Sequence, residues 1–342
     1  MRLLLLLISS IYGIIIKVRN LLFDYNILKS EKHRIPIICI GNLSVGGAGK
    51  TPQTHYIARL LSENHNIAIL SRGYGRKSLG FHYVELDSSP EVVGDEPLQL
   101  KYSNSNYLIA VNKNRNKGVK KILIDYPDTE VILLDDGFQH RWINAGLNII
   151  ITPFENPYTK DYLVPLGRLR ENKEGANRSD IILVSKTPYN TDTNKKKKIV
   201  KSLNIKRSQD VYFSSIIYHR YRSIKNNTEI KNENEYSITL VTGIANPNNL
   251  VEYLEEYAKK VRLIKFSDHH NYSPKDIKNI LLEYDKEKSA KKLILTTEKD
   301  AVKLREYLTE SNSIHFYYIP IDIYIDKKDI FDKQILDYVK KN

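Results

Sequence analysis

Short apolar runs recur along the first half of the chain, separated by longer segments of mixed polarity. Each run is rich in Ile, Val and Leu and is bounded by turn residues, which is typical of strands buried on both faces of a parallel sheet. The runs are Ile35–Ile40, Ile67–Leu70, Tyr107–Val111, Val131–Leu134, Leu147–Ile151 and Ile181–Val184. The segments between them are long enough to form helices, so the pattern predicts an α/β fold for this half.

A second alternation of the same kind begins near residue 237 and predicts a smaller α/β domain. Its predicted strands are Ile238–Thr242, Leu263–Phe266, Leu293–Thr296 and Phe316–Ile319, and its predicted helices are Asn248–Lys259, Pro274–Tyr284 and Ile330–Val339. The stretch 186–236 differs in composition, with a lysine run, a β-branched and aromatic run, and an Asn/Lys/Glu-rich segment. We interpret this stretch as the boundary between two domains, with solvent-exposed lysines and a connecting hairpin.

The amino-terminal segment Leu3–Ile16 is almost wholly apolar. A helix of this length rises about 21 Å, which is less than the roughly 30 Å hydrocarbon core of a bilayer. Lys17 and Arg19 follow the segment and would lie among anionic headgroups, so an interfacial helix that attaches the protein to a membrane surface fits best. A signal peptide and a buried core helix are the alternatives, although no small-x-small cleavage site follows the segment.

Composition sets broad limits on the class of protein. The chain has 342 residues, of which 41% are hydrophobic and 27% charged, so it is neither disordered nor fibrous. A single cysteine, Cys39, excludes a disulfide scaffold and a four-thiolate metal site. Lys and Arg number 53 against 40 Asp and Glu, a formal charge of +13. This excess indicates anionic partners or a compositional bias of the whole chain.

The first predicted strand leads directly into a glycine-rich segment, Gly41–Pro52, and a predicted helix follows from Thr54 to Leu61. Gly49-Lys50-Thr51 fits the P-loop pattern, in which backbone N–H groups surround phosphates, although Ser44 stands where the pattern has its first glycine. Lys50 would contact the β- and γ-phosphates, and the Thr51 hydroxyl would hold Mg²⁺. The predicted phosphate-binding residues are Gly46, Gly47, Ala48, Gly49, Lys50 and Thr51.

Two adjacent carboxylates, Asp135 and Asp136, follow the predicted strand Val131–Leu134. A P-loop needs an acidic residue at the end of a neighbouring strand to complete the metal shell, so we expect at least one of them to support Mg²⁺. The guanine-reading Asn/Thr-Lys-x-Asp signature is absent, because Asn112–Arg115 lacks the aspartate. ATP is therefore the predicted phosphoryl donor.

Seven segments resemble the motifs of the tetraacyldisaccharide 4′-kinase family, the lipid A 4′-kinases of Gram-negative bacteria. They are Gly41–Pro52 with its Ser44 and paired glycines, Ser71–Arg76, Gly94–Pro97, Asp135–His140, Leu166–Glu171, Asp268–His270 and Thr297–Ala301. Any one of them is weak evidence, but seven in the same order are specific. The resemblance implies ATP-dependent phosphorylation of the 4′-hydroxyl of a tetraacyl glucosamine disaccharide 1-phosphate in lipid A biosynthesis.

The resemblance also implies an architecture: a P-loop NTPase-like α/β/α domain, a smaller α/β domain and a two-stranded linker. We place the membrane-associated helical segment at 1–30, the P-loop kinase domain at 31–210, the linker at 211–236 and the smaller domain at 237–342. The family's lipid substrate implies a location on the cytoplasmic face of the inner membrane, peripheral or anchored by the amino-terminal helix.

Residue roles follow from the same resemblance. Asp95 matches the family's catalytic base for the sugar hydroxyl, and His269 matches the histidine that pairs with it, with His270 as the alternative. Asp135, Asp136 and Glu171 resemble the acidic residues around the metal and the phosphates. The turn Leu166–Arg168 departs from the small or glycine-rich, proline-containing turn of many relatives but leaves Glu171 in register.

Two further considerations concern substrates and partners. Arg72 and Arg76 are candidates for binding substrate phosphates, because guanidinium donors match phosphate oxygens. A nucleic-acid-dependent P-loop ATPase and a non-catalytic, nucleotide-dependent membrane switch are the alternative functions. The sequence shows no zinc motif and no RNA-binding sheet signature, so we expect a lipid A disaccharide precursor and a membrane surface as partners, and no nucleic acid.

Overall fold

The computed structural model describes all 342 residues. Ten α-helices alternate with strands along most of the chain, and short 3-10 turns lie in several connections. The helices are α1 (Arg2–Asp24), α2 (Lys50–Ser62), α3 (Pro90–Val93), α4 (Asp95–Ser103), α5 (Arg115–Asp125), α6 (Thr193–Leu203), α7 (Asn248–Tyr257), α8 (Pro274–Asp285), α9 (Glu298–Leu304) and α10 (Lys328–Lys341).

Fourteen strands form two sheets. The strands are β1 (Ile37–Gly41), β2 (Ile67–Ser71), β3 (His82–Tyr83), β4 (Leu108–Val111), β5 (Val131–Asp135), β6 (Leu147–Pro153), β7 (Ile181–Ser185), β8 (Asp210–Tyr218), β9 (Arg222–Ser223), β10 (Ser237–Thr242), β11 (Lys260–Lys265), β12 (Lys292–Thr297), β13 (Phe316–Ile319) and β14 (Ile321–Ile325). The apolar runs of the sequence therefore predicted the principal strands to within a few residues.

The larger sheet has nine strands in the order β14-β8-β7-β6-β1-β5-β2-β4-β3. Every neighbouring pair from β8 to β4 is parallel, and β3 pairs antiparallel with β4. All residues of β1, β2, β5 and β7 are buried, which requires cover on both faces of the sheet and explains why these strands are continuous apolar runs. The predicted α/β fold with a parallel sheet is confirmed.

The parallel arrangement brings several strand ends to one edge of the sheet. In register, Ile40 of β1 lies opposite Asp135 of β5, and Leu70 of β2 lies opposite Leu134. The loops that follow these strands therefore begin side by side. In open α/β sheets ligands bind at this carboxyl edge.

The smaller sheet has five strands in the order β11-β10-β12-β13-β9. β11, β10, β12 and β13 are parallel, and the short β9 runs antiparallel to β13. Two apolar clusters pack on this sheet, one of which includes Phe316 and Ile280 and the other Leu240 and Leu254. The second α/β domain is therefore present, as the sequence predicted.

Two compact units divide the chain. Unit 1 comprises Met1–Ile216 and Ile323–Asn342, and unit 2 comprises Ile217–Asp322. The chain passes from one unit to the other within β8 and returns within β14. The connecting strands are thus far apart in sequence, whereas the sequence had suggested a hairpin within 186–236, because apolar runs show where strands occur but not which strands pair.

The carboxyl-terminal helix α10 packs on unit 1, although its place in the sequence suggested the smaller domain. Phe331 is fully buried, and its ring lies 5.1 Å from that of Tyr212. The Tyr56 hydroxyl donates to Asp332 over 2.7 Å, and the Tyr338 hydroxyl donates to the carbonyl of Ile37 over 3.1 Å. These partners lie on α2, β8 and β1, so tertiary contacts rather than sequence order decide where α10 belongs.

Helix α1 continues to Asp24, beyond its predicted end at Ile16. Its 23 residues rise about 34 Å, which exceeds the roughly 30 Å hydrocarbon core. α1 is the one helix of the chain long and apolar enough to cross a membrane, a criterion that signal sequences and buried helices also meet. Most of its leucines and isoleucines are exposed, so α1 is not a buried core helix.

One narrow stripe of α1 packs on the segment that precedes Glu171. The Ser9 hydroxyl donates to the carbonyl of Leu163 over 3.0 Å, and the Tyr12 hydroxyl donates to the carbonyl of Arg170 over 2.6 Å. A Cβ on Gly13 would lie 2.6 Å from the Leu163 side chain, so glycine permits this close approach. The contacts attach α1 to unit 1 by its polar stripe and leave its apolar face exposed.

We predict that Phe331→Ala lowers the free energy of unfolding of unit 1 by about 3–5 kcal/mol, because it leaves a cavity between α10, α2 and β8. Ile330 is the matched control: it is 61% exposed, and Ile330→Ala should change stability by no more than about 0.5 kcal/mol. Urea unfolding monitored by circular dichroism measures both. Equal effects of the two substitutions would contradict the placement of α10.

Candidate functional site

The glycine-rich segment forms a loop between β1 and α2 at the carboxyl edge of the large sheet. Gly46 and Gly49 have φ angles of +95° and +85°, a region that side chains rarely adopt. A Cβ on Gly41 would lie 2.6 Å from Cβ of Phe138, so the strand end also requires glycine. Gly46 thus provides the backbone freedom that the loop lacks at Ser44, and the first N–H groups of α2 provide donors for an anion.

Lys50 is buried at the first turn of α2. Its ammonium lies 3.4 Å from Oδ1 of Asn42 and 3.8 Å from Oδ1 of Asp136. A buried lysine is stable only when its charge is compensated; the Asp136 carboxylate compensates it, and the Asn42 oxygen accepts a hydrogen bond from it. The structure therefore brings together the predicted phosphate lysine and the predicted acidic pair.

Asp135 ends β5 and is completely buried. Its carboxylate accepts hydrogen bonds from the Thr54 hydroxyl over 3.0 Å and the Ser71 hydroxyl over 3.3 Å. Burial raises the pKa of this carboxyl to about 6, and the negative charges of Glu96 and Asp136 contribute to the rise. Because burial disfavours the negative charge of Asp135, a cation bound beside this carboxylate would be stabilising.

Asp136 has a left-handed φ of +50°. Its pKa is shifted in the opposite direction to that of Asp135. Burial alone would raise its pKa, but Lys50 and Arg170 outweigh burial and hold the pKa of Asp136 below its usual range. Arg170 donates to both carboxylate oxygens, over 3.1 and 3.0 Å, and also to Asn42 over 2.6 Å. The pKa values of these two adjacent aspartates are thus shifted in opposite directions.

Glu171 is buried and its carboxylate accepts three hydrogen bonds. The donors are Arg178 over 2.7 Å, Gln139 over 3.0 Å and Asn20 of α1 over 3.2 Å. This carboxylate links the Asp135–His140 loop and α1 to the segment between β6 and β7. Glu171 is therefore placed beside the site but is already satisfied by protein donors.

The acidic residues do not form a preassembled metal cage: no group of three or more His, Cys, Asp or Glu in the chain is arranged to hold a metal ion. Mg²⁺ nevertheless commonly binds through one or two carboxylates, a hydroxyl, water and substrate phosphates. Asp135 and the buried Thr51 supply such a donor set at the carboxyl edge. The residues present fit Mg²⁺ together with a phosphate-bearing substrate.

Two buried nitrogen-bearing residues border the acidic pair: Arg115, which the sequence offered as one of several arginines able to bind phosphate, and His140, which received no role from the sequence. The Arg115 guanidinium is buried, donates to the carbonyls of Asn112 and Asp136, and leaves Nε without a partner. His140 Nε2 is also buried without a partner, and burial together with Arg115, Arg19 and Arg72 lowers the pKa of His140 to about 4. His140 ends the motif that begins at Asp135, which was the signal available in the sequence.

The loop after β7 supports the P-loop from the side and was likewise missed. The Ser185 hydroxyl donates to the carbonyl of Ala48 over 2.7 Å, and the Lys186 ammonium donates to the carbonyl of Gly47 over 2.8 Å. Lys186 adopts a φ of +55°, which costs a non-glycine residue about 1–2 kcal/mol. Neither contact has a sequence signature, because the partners are separated by more than 130 positions.

Asp95 is buried in the first turn of α4, and its Oδ1 accepts from the backbone N–H of Glu96 over 3.0 Å. Glu96 lies close enough to Asp135 to raise its pKa, so this turn borders the acidic pair. Arg72 is exposed and its charge acts on His140. Arg76 instead turns into its own loop, where it donates to the carbonyl of Gly80 over 2.6 Å.

His269 and His270 belong to unit 2 and differ in their contacts. His270 lies 3.2 Å from Asp276 in the capping box of α8, and its ring stacks on Phe266. His269 has a φ of +56°, and its Nε2 lies 3.0 Å from the Lys299 ammonium. His270 thus contacts Asp276 and Phe266, whereas His269 contacts Lys299 at the start of α9.

Comparisons with known proteins agree over the whole chain. The family model described as Tetraacyldisaccharide-1-P 4′-kinase matches residues 1–340. Proteins named tetraacyldisaccharide 4′-kinase are 41% identical in Bacteroides thetaiotaomicron, over 98% of this chain and 92% of that protein, and 40% identical in Flavobacterium johnsoniae, over 98% and 96%.

A solved structure agrees as well. LpxK from Aquifex aeolicus, solved in complex with ATP, superposes with a TM-score of 0.77 at 29% identity and covers 99% of both chains. The family resemblance identified from the seven motifs is confirmed. On its sequence, its fold and its strand–loop–helix phosphate site, this chain belongs to the tetraacyldisaccharide 4′-kinase family.

Proposed function

We propose that the protein transfers the γ-phosphoryl group of ATP to the 4′-hydroxyl of a tetraacyl glucosamine disaccharide 1-phosphate, a step of lipid A biosynthesis. The support is the full-length family match together with a P-loop whose lysine is buried beside an acidic pair. We assign the kinase chemistry to unit 1, which contains the predicted domain 31–210, and we propose that unit 2 contributes His269.

The nucleotide phosphates would lie on the loop from Gly46 to Thr51. The N–H groups at the start of α2 and the Lys50 ammonium provide positive potential there, and Lys186 and Ser185 keep the loop carbonyls turned away. Thr51 and Asp135 would hold Mg²⁺, with Asp136 and Glu171 as the surrounding acidic residues. The bound ion would neutralise phosphate charge.

The transfer needs a base that accepts the hydroxyl proton and positive groups that neutralise the charge of the transferred phosphoryl group. The 4′-oxygen forms a bond to the γ-phosphorus while the bond from that phosphorus to the bridging oxygen of ADP breaks. Asp95 is the proposed acceptor of the hydroxyl proton, and it lies in the turn that borders Asp135. Lys50 and Arg115 neutralise charge on the transferred group, since both are buried beside the acidic pair.

His269 is the proposed partner of Asp95, and it would orient the carboxylate or pass its proton onward. The support is the resemblance of Asp268–His270 to the family motif; in the structure His270 contacts Asp276 and Phe266, and His269 contacts Lys299. For the substrate phosphate we propose Arg72 and Arg76. Arg72 is the better placed of the two, since it is exposed and acts on the His140 region.

We further propose that the protein works at the cytoplasmic face of the inner membrane with the lipid A disaccharide precursor as its partner. The apolar face of α1 would lie in the interface, while its polar stripe stays on unit 1. Asn20 of α1 donates to Glu171, so the membrane-facing helix is part of the wall of the site. A lipid substrate would therefore reach the phosphate site without leaving the surface.

The first prediction from the proposed function concerns Lys50. We expect Lys50→Ala to lower phosphoryl transfer by several orders of magnitude, because the ammonium acts on the transferring phosphate. Transfer of label from radioactive ATP to the lipid acceptor measures it, and Lys117→Ala on the exposed face of α5 is the matched control. Near-normal turnover in a folded Lys50→Ala protein would remove the proposed function, and ATP binding without any transfer by the wild type would favour a switch.

The second prediction uses the opposite pKa shifts of the two aspartates. The raised pKa of Asp135 means that its ionisation destabilises the fold as pH rises from about 4 to 6. Asp135→Asn should therefore raise the free energy of unfolding by about 2 kcal/mol at pH 7.5 and by much less at pH 4.5, while abolishing transfer.

Asp136 provides the control with the opposite sign. Its lowered pKa contributes stability above pH 4 that is lost as pH falls through the lowered value. Asp136→Asn should thus destabilise the protein at pH 7.5. Urea unfolding in EDTA at the two pH values measures the free energy of unfolding of both variants. If Asp135→Asn lowered this free energy at pH 7.5, the charge of Asp135 would not destabilise the free enzyme.

The third prediction concerns the proposed pair. Asp95→Asn and His269→Ala should each lower kcat by about 10²–10⁴, with a modest effect on KM for ATP, because general-base assistance has this size. The double variant should be little worse than either single one, since both residues serve one step. His270→Ala should mainly weaken α8. A larger kcat defect at His270 than at His269 would show that the pairing is wrong.

A further inference from the structure

The connection between β2 and β3, residues 72–81, ends in an exposed apolar tip. Leu79 is 89% exposed, more than any other large apolar side chain except Met1, and Tyr74 is 64% exposed. Val92, whose carbonyl accepts from the Ser78 hydroxyl, adds a third partly exposed apolar side chain beside the tip. Isolated exposed leucines are common in soluble proteins, but a small apolar cluster at the tip of a loop is typical of an interaction surface.

The tip is held in place rather than loosely connected. The Arg76 guanidinium donates to the carbonyl of Gly80 over 2.6 Å, and the backbone N–H of Lys77 donates to the carbonyl of Glu91 over 2.7 Å. Gly75 and Gly80 have positive φ angles that the bends of this loop require. These hydrogen bonds hold the backbone on either side of Leu79.

The charge of the loop is entirely positive. Residues 72–81 contain Arg72, Arg76 and Lys77 and no carboxylate, and one of these charges is shared with Glu91 through the ion pair of Lys77. Cationic side chains around an apolar tip match the chemistry of a bilayer interface, where leucine enters the acyl region and the cations meet anionic headgroups.

The start of the loop and Arg19 of α1 both lie near the segment Asp135–His140, since the Arg19 guanidinium donates to the carbonyl of Gln139 over 2.8 Å. Arg72 at the beginning of the loop and Arg19 of α1 both act on His140 and lower its pKa, so both elements border the same charged centre at the carboxyl edge. The base of the loop and one side of α1 thus both border the carboxyl edge of the large sheet. A membrane that contacts α1 would therefore lie near the base of the loop.

We propose that the loop 72–81 is a second lipid contact of this protein, in which Leu79 inserts into a bilayer interface that contains anionic lipid. The proposal rests on the proposed function, because it assumes a lipid acceptor drawn from a membrane. A Cβ on Gly94 would lie 3.1 Å from the carbonyl oxygen of Tyr74, so the loop packs directly against the residue before Asp95. Insertion of Leu79 would therefore hold the turn of the proposed base at the surface that carries the acceptor.

The first experiment measures the partitioning of the full chain into vesicles of phosphatidylcholine with 30% phosphatidylglycerol at physiological salt. Leu79→Ser should weaken partitioning about tenfold, which corresponds to about 1.4 kcal/mol. The matched control is Ile124→Ser. Ile124 is 75% exposed and lies in the last turn of α5, which leads to the amino end of β5 rather than to the carboxyl edge of the sheet. Equal partitioning of Leu79→Ser and wild type would overturn the proposal, as would equal losses in the two variants.

The second experiment reports insertion directly. Trp142 is the single tryptophan, so Leu79→Trp in a Trp142→Phe background places one fluorophore at the tip. Its emission should shift to the blue on addition of the same vesicles and should be quenched by brominated acyl chains. Unshifted emission from protein that co-sediments with vesicles would overturn the loop contact while leaving attachment through α1 intact. Absence of label transfer in the kinase assay would overturn the proposed function instead, whatever the fluorescence shows.

Discussion

Compensation of buried charge at the carboxyl edge of the large sheet governs the rest of this structure. Asp136 lies between Lys50 and Arg170, and each of these partners comes from a different segment of the chain. Removing one member of such a group would leave an unpaired charge in a largely dry environment, which is strongly unfavourable. The P-loop, the end of β5 and the segment before Glu171 therefore hold one another in position, and the site is preorganised before a substrate arrives.

Charge compensation also explains why the pKa values of Asp135 and Asp136 are shifted in opposite directions although the two residues are adjacent. The positive φ of Asp136 sends its side chain toward Lys50 and Arg170, whereas Asp135 stays in the strand and meets only hydroxyl donors. One carboxylate is thus satisfied by the protein, and the other keeps an unfavourable charge that a cation relieves. Such a division is consistent with one structural and one functional aspartate, which the dipeptide alone does not reveal.

Attachment of α1 links the membrane to the chemistry in the proposed function. The helix packs through Ser9, Tyr12 and Gly13 and reaches Glu171 through Asn20, so its polar stripe serves the site while its apolar face stays available to lipid. A helix with only an anchoring role would not need these contacts. The periodicity of α1 did not disclose the stripe, because Ser9 and Gly13 interrupt an otherwise continuous apolar run that indicates burial or insertion equally well.

The sequence by itself determined the order of strands and helices, the P-loop and the family, because apolar runs and local motifs depend on neighbouring residues. It also supplied Asp135 and Asp136 as a pair and left His269 and His270 as alternatives. Only the tertiary structure decided that α10 packs on unit 1, that β14 is the second connecting strand, and which cations face each aspartate. These features depend on contacts between residues far apart in the chain, and the burial that shifts the pKa of Asp135 or His140 exists only once those distant segments have packed.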